Sequence, residues 1–543
     1  MSDSAPPESP FKSDGQHGLI LAIGLGTALV IWVLYGLRFY GEVIPFYDSV
    51  AYQSGYRDIA EKTADLSLFA SLKYVWLQVG NNVVLYKFFA AVFGDSIPSP
   101  IIGLYLYLFT FHALATVALS LAVRQVTRSW FLAHMAVAGW LATAPFAMLR
   151  DGVGDQRMDL ASGSAYLLVA ATGMAWVHRP RIGLAGLVGT FTALAALHRP
   201  TLSVSLAVVG AILAGAMIMR HRPSAKILIL NLVAAVVPFL LLSLPWMFTH
   251  REGLYHYYFE YAPSVGNSES LTAAFAFNFS RLGQWIGWPA GIILLIGFLG
   301  TAIRRKVDLI HFLTVSLIGS TPLALLVLSK STGNVFVQQM VLGLPALLLV
   351  SIRRQTPVSQ REGRQWPLAG ALVLILVVAS LSPRLNAHLN EERLGARAEV
   401  VNVIEQVKAH VSAGSLAGFH DLPVSIPSIA NIARSLEVPF TRGTVGYFPS
   451  HFGLSNDQSD DTGSPELLAG INAILQKVKA NDEVLLLPTA ETQFRLWAGL
   501  FSHRQLSLIR QAVTEDRNFE HVVVAGPVNS VMFDVYRVHK NAP

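Results

Sequence analysis

The sequence predicts a polytopic α-helical membrane protein of about eleven spans, with interfacial helices in its first exported loop and a C-terminal soluble α/β domain. Of its 543 residues, 53% are hydrophobic and only 14% are charged, whereas an ordinary soluble domain has about 25% charged residues. The mean hydropathy is +0.48. This composition excludes an ordinary soluble enzyme. No stretch alternates in the manner of a membrane β-barrel.

The spans are predicted from runs of about 17–25 mostly apolar residues, which is the length that crosses the hydrocarbon core of a bilayer. Several runs are separated by only a few residues, as in helical hairpins. The eleven runs lie near 18–37, 101–123, 130–149, 160–177, 182–198, 201–219, 227–248, 286–303, 309–329, 335–352 and 366–383.

The positions of Lys and Arg predict the orientation, because cytoplasmic loops hold positive charge more readily than exported loops. Alternate short loops on one side carry fourteen of these residues and those on the other side carry four. We therefore expect a cytoplasmic tail over 1–17, a membrane domain over 18–383 and an exported domain over 384–543, in the inner (cytoplasmic) membrane. The net charge of +6 is interpreted as this topology signal, with no nucleic acid as partner.

The C-terminal region has the pattern of a globular α/β domain. Residues 391–411 have helical spacing, and 482–488, 521–527 and 530–538 are apolar runs typical of strands. The chain contains no cysteine, so disulfides, thiol nucleophiles and cysteine metal sites are excluded.

The first exported loop places Asp48 about ten residues beyond the first span, with Tyr52 close by. The stretches that follow are apolar on one side and too short to span, which predicts helices along the interface. Such a loop can cover a cavity. Asp48 also fits as the N-cap of the helix that follows, since Asp is favoured at that position, and the two interpretations are compatible.

The loop between the third and fourth predicted spans is dense in charge. Asp159 begins an apolar run, where the dipole at a helix N-terminus stabilises an anion. Charged side chains at a membrane surface cost free energy unless they are paired or take part in binding or catalysis. The alternative is a self-neutralising loop with Asp159 as a helix cap. The loop carries Arg150, Asp151, Asp155, Arg157 and Asp159.

Three further polar positions are predicted on the same face. His198 and Arg199 form a basic pair in a tight turn that opposes the positive-inside bias, which indicates an anionic partner such as a phosphate. Snorkelling of Arg199 to the interface is the alternative. His250 and Arg251 lie at the start of the third exported loop, and Gln338 lies between the ninth and tenth spans.

Motifs of soluble enzymes are missing from the sequence: it has no P-loop, no HExxH and no nucleophile elbow. What remains is a set of Asp, Arg, His and Tyr side chains at one membrane face. Such a set suits an acidic or phosphorylated amphiphile and acid/base chemistry.

The arrangement of these residues resembles that of the C-type membrane glycosyltransferases, which have the GT-C fold. The resemblance is to the protein mannosyltransferase and aminoarabinose transferase types. The matching segments are PFYDSVAY, QRMDLASGSAYLLVAATGMAW and LAALHRPT. The sequence departs from the pattern at Ser49, where relatives often carry a second acidic residue, and it lacks the tryptophan-tryptophan-aspartate signature of oligosaccharyltransferases.

The resemblance implies an inverting transferase that takes a sugar from a polyprenyl-phosphate donor at the outer membrane face. The acceptor would be a cell-envelope glycan, lipid or protein. Asp48 would act as the base or orient the acceptor, and Asp159 or Asp155 would assist it or bind the substrate. A divalent cation could bridge carboxylate and phosphate. The resemblance implies contacts to the departing phosphate from Arg157, His198, Arg199 or Arg251.

Two other functions are weighed against this one. A polymerase or ligase of lipid-linked glycans would place its main exported loop between late spans, whereas the largest loop between spans here follows the first. A transporter would favour charged residues at mid-span depth, and the predicted spans contain almost none.

Overall fold

The chain forms two compact units in a computed structural model. One unit comprises Met1–Gly36 with Gly55–His388, and the other comprises Leu37–Ser54 with Leu389–Pro543. The structure describes residues 10–43, 47–78, 84–146, 148, 152, 156–255, 270–303, 305–328, 339–353, 377–378, 381, 383–384, 386–387, 395–409, 416–419, 429, 432, 445–447, 464–481, 484–489, 503–528 and 531–539.

Helices dominate the chain up to residue 388. Two short strands, β1 (Lys306–Val307) and β2 (Ile352–Arg353), pair antiparallel. The helices are α1 (Pro10–Glu42), α2 (Tyr47–Thr63), α3 (Leu68–Gln78), α4 (Leu85–Phe93), α5 (Pro100–Thr127), α6 (Trp130–Leu141), α7 (Met158–His178), α8 (Ile182–His198), α9 (Leu202–His221), α10 (Ala225–Thr249), α11 (Arg251–Tyr255), α12 (Leu271–Ala302), α13 (Leu309–Leu328) and α14 (Leu344–Leu347).

Six of the described helices are long and apolar enough to cross a membrane, namely α1 from His17 onward, α5, α7, α9, α10 and α12. Shorter apolar helices coincide with the third, fifth and ninth predicted spans. The polytopic helical fold is therefore confirmed, whereas the count of eleven is not. The helices α2, α3 and α4 follow the first span, where interfacial helices are predicted.

Three predicted spans differ from the structure in detail. The run 130–149 holds a helix of only 12 residues, followed by a 3₁₀ turn at Ala144–Phe146. The described part of 335–352 holds α14, a 3₁₀ turn at Leu348–Ser351 and β2. Most of 366–383 lies outside the described residues. Apolar runs are equally suited to burial against protein, so hydropathy alone does not establish a continuous span.

Helix α7 is the core of the larger unit. Its 18-residue apolar window is completely buried, and its small residues let neighbouring backbones come close, as in membrane helix packing generally. A Cβ added at Gly163 would lie 2.6 Å from the carbonyl oxygen of Gln339. The N-terminal part of α7 therefore packs closely against the backbone at Gln339.

Helices α8 and α10 also meet at close range. A Cβ at Gly189 would clash with the backbone carbonyl of Ala235 on α10, whereas a Cβ at Gly183, on the same helix, would meet nothing within 4 Å. Small residues allow such close contact between helices in a membrane.

We expect Gly189→Ala to destabilise the protein by about 1–3 kcal/mol, because a backbone carbonyl cannot move aside as a side chain can. Gly183→Ala is the matched control and should be neutral or stabilising by up to about 1 kcal/mol, the helix propensity difference. Thermal unfolding of the full chain in detergent measures both. Equal melting temperatures for the two variants would contradict the close contact.

The smaller unit contains a five-stranded sheet of order β4-β3-β5-β7-β6. Strand β3 runs parallel to β4 and β5, and β7 runs antiparallel to β5 and β6. Its helices are α15 (Ala396–Lys408), α16 (Pro465–Asn481) and α17 (His503–Glu515), and its strands are β3 (Leu416–Phe419), β4 (Val445–Tyr447), β5 (Val484–Pro488), β6 (Phe519–Val528) and β7 (Val531–Val538).

Strand β5 is buried on both faces, as its continuous apolar run predicts. Val484 and Leu486 pack in one cluster with residues of α15, while Leu485 and Leu487 pack in another with residues of α16 and α17. The helix predicted over 391–411 and the strands predicted over 482–488, 521–527 and 530–538 correspond to α15, β5, β6 and β7. A C-terminal sheet domain is therefore present.

Candidate functional site

The candidate site begins at the N-terminus of α7. Arg157 is the N-cap residue and has an extended backbone, with φ −71° and ψ 145°. Asp159 follows in the first turn, where the helix dipole stabilises a negative charge. Gln156, which precedes the cap, donates from its side-chain amide to the carbonyl of Ile101 on α5 at 2.7 Å. This bond fixes the approach of the chain to the helix.

Two arginines hold the carboxylate of Asp159. The Nη1 of Arg199 lies 2.5 Å from Oδ1, and the Nε of Arg157 lies 3.1 Å from Oδ2. The Asp159 side chain is 7% exposed and each arginine side chain is 18% exposed. The three side chains, called here the Arg–Asp–Arg cluster, carry one net positive charge. The positive end of the α7 dipole adds to that charge.

Arg199 reaches Asp159 because α8 ends there. His198 is the last residue of α8, and Arg199 is its C-cap, with φ −149° and ψ 104°. The extended backbone turns the guanidinium toward the start of α7. The pairing joins residues that are 40 positions apart in the sequence.

His198 is completely buried, and both of its ring nitrogens contact protein atoms. Nε2 lies 3.0 Å from the carbonyl oxygen of Met158 and 3.1 Å from Oγ of Ser162, and Nδ1 lies 2.6 Å from the hydroxyl of Tyr107. A carbonyl oxygen only accepts, so we assign the proton to Nε2, and Nδ1 accepts from the Tyr107 hydroxyl. His198 thereby connects α5, α7 and α8 next to the Arg–Asp–Arg cluster.

The cluster is suited to binding an anion. Each carboxylate oxygen of Asp159 already faces a guanidinium group, so Asp159 orients the two arginines. Guanidinium groups present a planar fork of N–H donors that matches phosphate and carboxylate oxygens. Because the arginine side chains remain partly exposed, an incoming phosphate could contact them without displacing Asp159.

Solved structures share this architecture. The ArnT crystal structures from Cupriavidus metallidurans align over 96% of this chain and 98% of theirs at 12% identity, with a TM-score of 0.60 for the form bound to undecaprenyl phosphate and 0.59 for the apo form. ArnT is an aminoarabinose transferase of the GT-C fold. This chain has the GT-C fold.

A second solved structure is similar over much of this chain but at a lower TM-score. The mycobacterial arabinofuranosyltransferase AftD aligns over 96% of this chain and 40% of its own, with 14% identity and a TM-score of 0.48, which does not establish a shared fold. No protein-family model matches the sequence, and no curated protein matches it. The GT-C fold is thus evident from structure and not from overall sequence similarity, since the identity to ArnT is only 12%.

Within the GT-C fold of this chain, four of the residues predicted from sequence meet in the cluster or beside it: Arg157, Asp159, His198 and Arg199. Asp48 lies in the first turn of α2, which begins at Tyr47, and its side chain is outside the described part. Arg150, Asp151 and Asp155 of the charged loop before α7 lie outside the described residues, and so does Gln338.

The other predicted contacts lie in different surroundings. His250 is the C-cap residue of α10, and its Nε2 donates to the carbonyl of Trp76 at 2.8 Å. Arg251 is exposed and lies 3.7 Å from Glu252. Tyr52 is half-buried on α2. The role of Tyr52, His250 and Arg251 in substrate binding stays a prediction.

A metal site is not formed by the residues that the structure describes, since no group of three or more His, Asp or Glu side chains converges among them. The oxygens of Asp159 face guanidinium groups instead. The divalent cation that would bridge a carboxylate and a phosphate stays a prediction.

Sequence reasoning missed Tyr107 and Ser162, which hold His198. Tyr107 lies in the apolar run of α5 and Ser162 lies in the small-residue run of α7. A polar residue inside a span is a signal for a functional or structural contact. Its partner, however, depends on how the helices pack.

Proposed function

We propose that this chain is a membrane glycosyltransferase that takes a sugar from a polyprenyl-phosphate donor and transfers it to a cell-envelope acceptor. The reaction would take place at the outer face of the cytoplasmic membrane, and the acceptor would be a glycan, a lipid or a protein. The observation that supports this proposal is the Arg–Asp–Arg cluster at the N-terminus of the buried helix α7, in a chain of the GT-C fold.

The phosphate of the donor would bind at this cluster. Arg157 and Arg199 supply positive charge, and Asp159 holds both guanidinium groups in one orientation. As the bond to the sugar breaks, negative charge develops on the leaving phosphate, and prearranged cationic donors stabilise that charge more in the transition state than in the ground state. ArnT, which aligns over 96% of this chain, was solved with undecaprenyl phosphate bound. This supports a polyprenyl phosphate as the ligand.

The transfer itself would be a single displacement with inversion. The acceptor oxygen attacks the anomeric carbon, the bond from that carbon to the phosphate oxygen breaks, and polyprenyl phosphate leaves. The proton of the acceptor hydroxyl passes to a carboxylate that acts as general base. The family resemblance of the segment PFYDSVAY supports Asp48 in that role. His198 would act as a positioning residue, since its nitrogens contact protein atoms.

Lipid binding tests the proposal before any sugar is known. We expect undecaprenyl phosphate to bind the purified full chain at least about tenfold more tightly than undecaprenol, because charge-assisted hydrogen bonds to the phosphate are lost with the alcohol. Arg199→Gln should weaken the binding of undecaprenyl phosphate by about tenfold or more and leave the binding of undecaprenol unchanged.

Arg222→Gln is the control, because Arg222 is an exposed C-cap residue of α9 with no role in the cluster. Equal affinities of the wild-type chain for the phosphate and the alcohol would contradict the proposed donor. Once a donor sugar is found, the length of the product separates the two enzyme classes: a transferase adds a single sugar, and a polymerase or ligase transfers a glycan chain.

A further inference from the structure

A cationic cavity lies at the opposite end of α7 from the Arg–Asp–Arg cluster. It has a volume of about 670 Å³ and is lined by residues of α1, of α5 with the turn after it, and of the α7–α8 connection. Helix α7 has 21 residues between the Arg–Asp–Arg cluster and the cavity, a length of about 30 Å at the helical rise. The cavity is therefore separate from the proposed donor site.

Four arginines line this cavity: Arg124, Arg128, Arg179 and Arg181. They come from two different connections, the end of α5 and the turn between α7 and α8. None of the described lining residues carries a carboxylate. The positive-inside bias accounts for arginines in these loops, but it does not account for their convergence on one cavity.

The rest of the lining is mainly apolar and is contributed by α1, α5 and α8. Trp130 forms part of the wall. Its ring stacks on that of His17 with centroids 4.7 Å apart and an interplanar angle of 21°, and Arg124 lies 5.4 Å from the Trp130 ring centre. The wall is thus built from packed aromatic and aliphatic groups next to the cations.

We propose that this cavity binds an anionic phospholipid, with the phosphate between the arginines and an acyl chain along the apolar helix surfaces. Basic pockets between membrane helices bind the headgroups of anionic lipids in this way. The volume lies within the range of sites for small ligands. A soluble phosphate would use the arginines but would leave the apolar wall unused, so the two halves of the lining together favour a lipid.

Native mass spectrometry of the delipidated full chain tests this site, with phosphatidylglycerol, phosphatidylcholine and glycerol 3-phosphate as probes. We expect phosphatidylglycerol to bind about tenfold more tightly than phosphatidylcholine, because only the former carries a net charge that the arginines neutralise. Arg128→Gln should reduce that preference several-fold, and the double variant with Arg179→Gln should abolish it.

Arg222→Gln is again a matched control. Arg128 and Arg222 are both exposed C-cap residues in the left-handed region, with φ of 56° and 44°, but only Arg128 lines the cavity. An equal effect of the two substitutions, or equal affinity for the two lipids, would overturn the proposal. Displacement of phosphatidylglycerol by glycerol 3-phosphate at similar concentration would also overturn it, and would identify a site for soluble phosphates.

The proposed donor site and the proposed phospholipid site can be tested separately. Arg128→Gln should leave the binding of undecaprenyl phosphate at the Arg–Asp–Arg cluster unchanged, and Arg199→Gln should leave the preference for phosphatidylglycerol unchanged. Loss of both ligands in one variant would indicate damage to the fold, and the melting temperature of each variant without added lipid detects such damage.

Discussion

Replacing Asp159 by asparagine is expected to lower the kcat of transfer by about 100-fold, the effect of misplacing reacting groups by about 1 Å. The substitution keeps the shape of the side chain but removes the charge that holds Arg157 and Arg199 together. The two guanidinium groups then repel each other, and the phosphate is bound in a less defined position. Because the cluster becomes more positive, the donor KM should not rise. Steady-state kinetics with varied donor concentration measures both constants.

Asp308→Asn is the matched control for this variant. Asp308 is 10% exposed and lies 2.7 Å from Arg220, which is 18% exposed, and 3.0 Å from His311. Burial acts to raise the pKa of Asp308, but hydrogen bonds from His311 and Arg220 bring that pKa below its usual range. Asp308→Asn should reduce stability with little change in kcat. If Asp159→Asn instead raised the donor KM with kcat unchanged, Asp159 would contribute to binding alone.

Asp48→Asn is expected to abolish detectable transfer while the protein is expressed at the wild-type level. Removal of a general base costs about 100- to 10,000-fold in rate, and asparagine cannot accept the proton of the acceptor hydroxyl as a carboxylate does. The affinity for undecaprenyl phosphate should not change, because the phosphate is proposed to bind at the Arg–Asp–Arg cluster. Transfer rates and lipid affinities of the same preparation separate the two effects.

Asp65→Asn provides the control for Asp48. Asp65 is an exposed carboxylate that follows α2, so its substitution changes the net charge equally without touching the proposed chemistry. We expect wild-type transfer from that variant. Full activity of Asp48→Asn would remove Asp48 from the mechanism and leave the proposed phosphate site untouched.

The candidate site was only partly predictable from the sequence. The position of Asp159 in the first turn of α7 follows from local rules, since a carboxylate before an apolar run is favoured at a helix N-terminus. The basic pair after α8 is evident because it opposes the positive-inside bias in the predicted orientation. Local rules could not show that Arg199 and Asp159 share one ion pair, or that His198 contacts Tyr107. Both contacts join different helices.

The predicted number of continuous spans is not confirmed either. The runs 130–149 and 335–352 are as apolar as a span, yet the first holds a 12-residue helix and the described part of the second holds short turns. Ten of the twelve residues of α6 are buried, so its apolar side chains pack against protein. A one-dimensional pattern cannot distinguish protein from lipid as the apolar surroundings.

By itself, the sequence determined that this is a helical membrane protein with a C-terminal α/β region, because composition, the length of apolar runs and alternation in strands are local properties. Only the tertiary structure decided which charges meet. Arg157, Asp159 and Arg199 form one cluster, and four other arginines converge on a cavity at the opposite end of α7. The physical reason is that apolar helices of similar length can pack in many arrangements, and close contacts such as that at Gly189 select one of them.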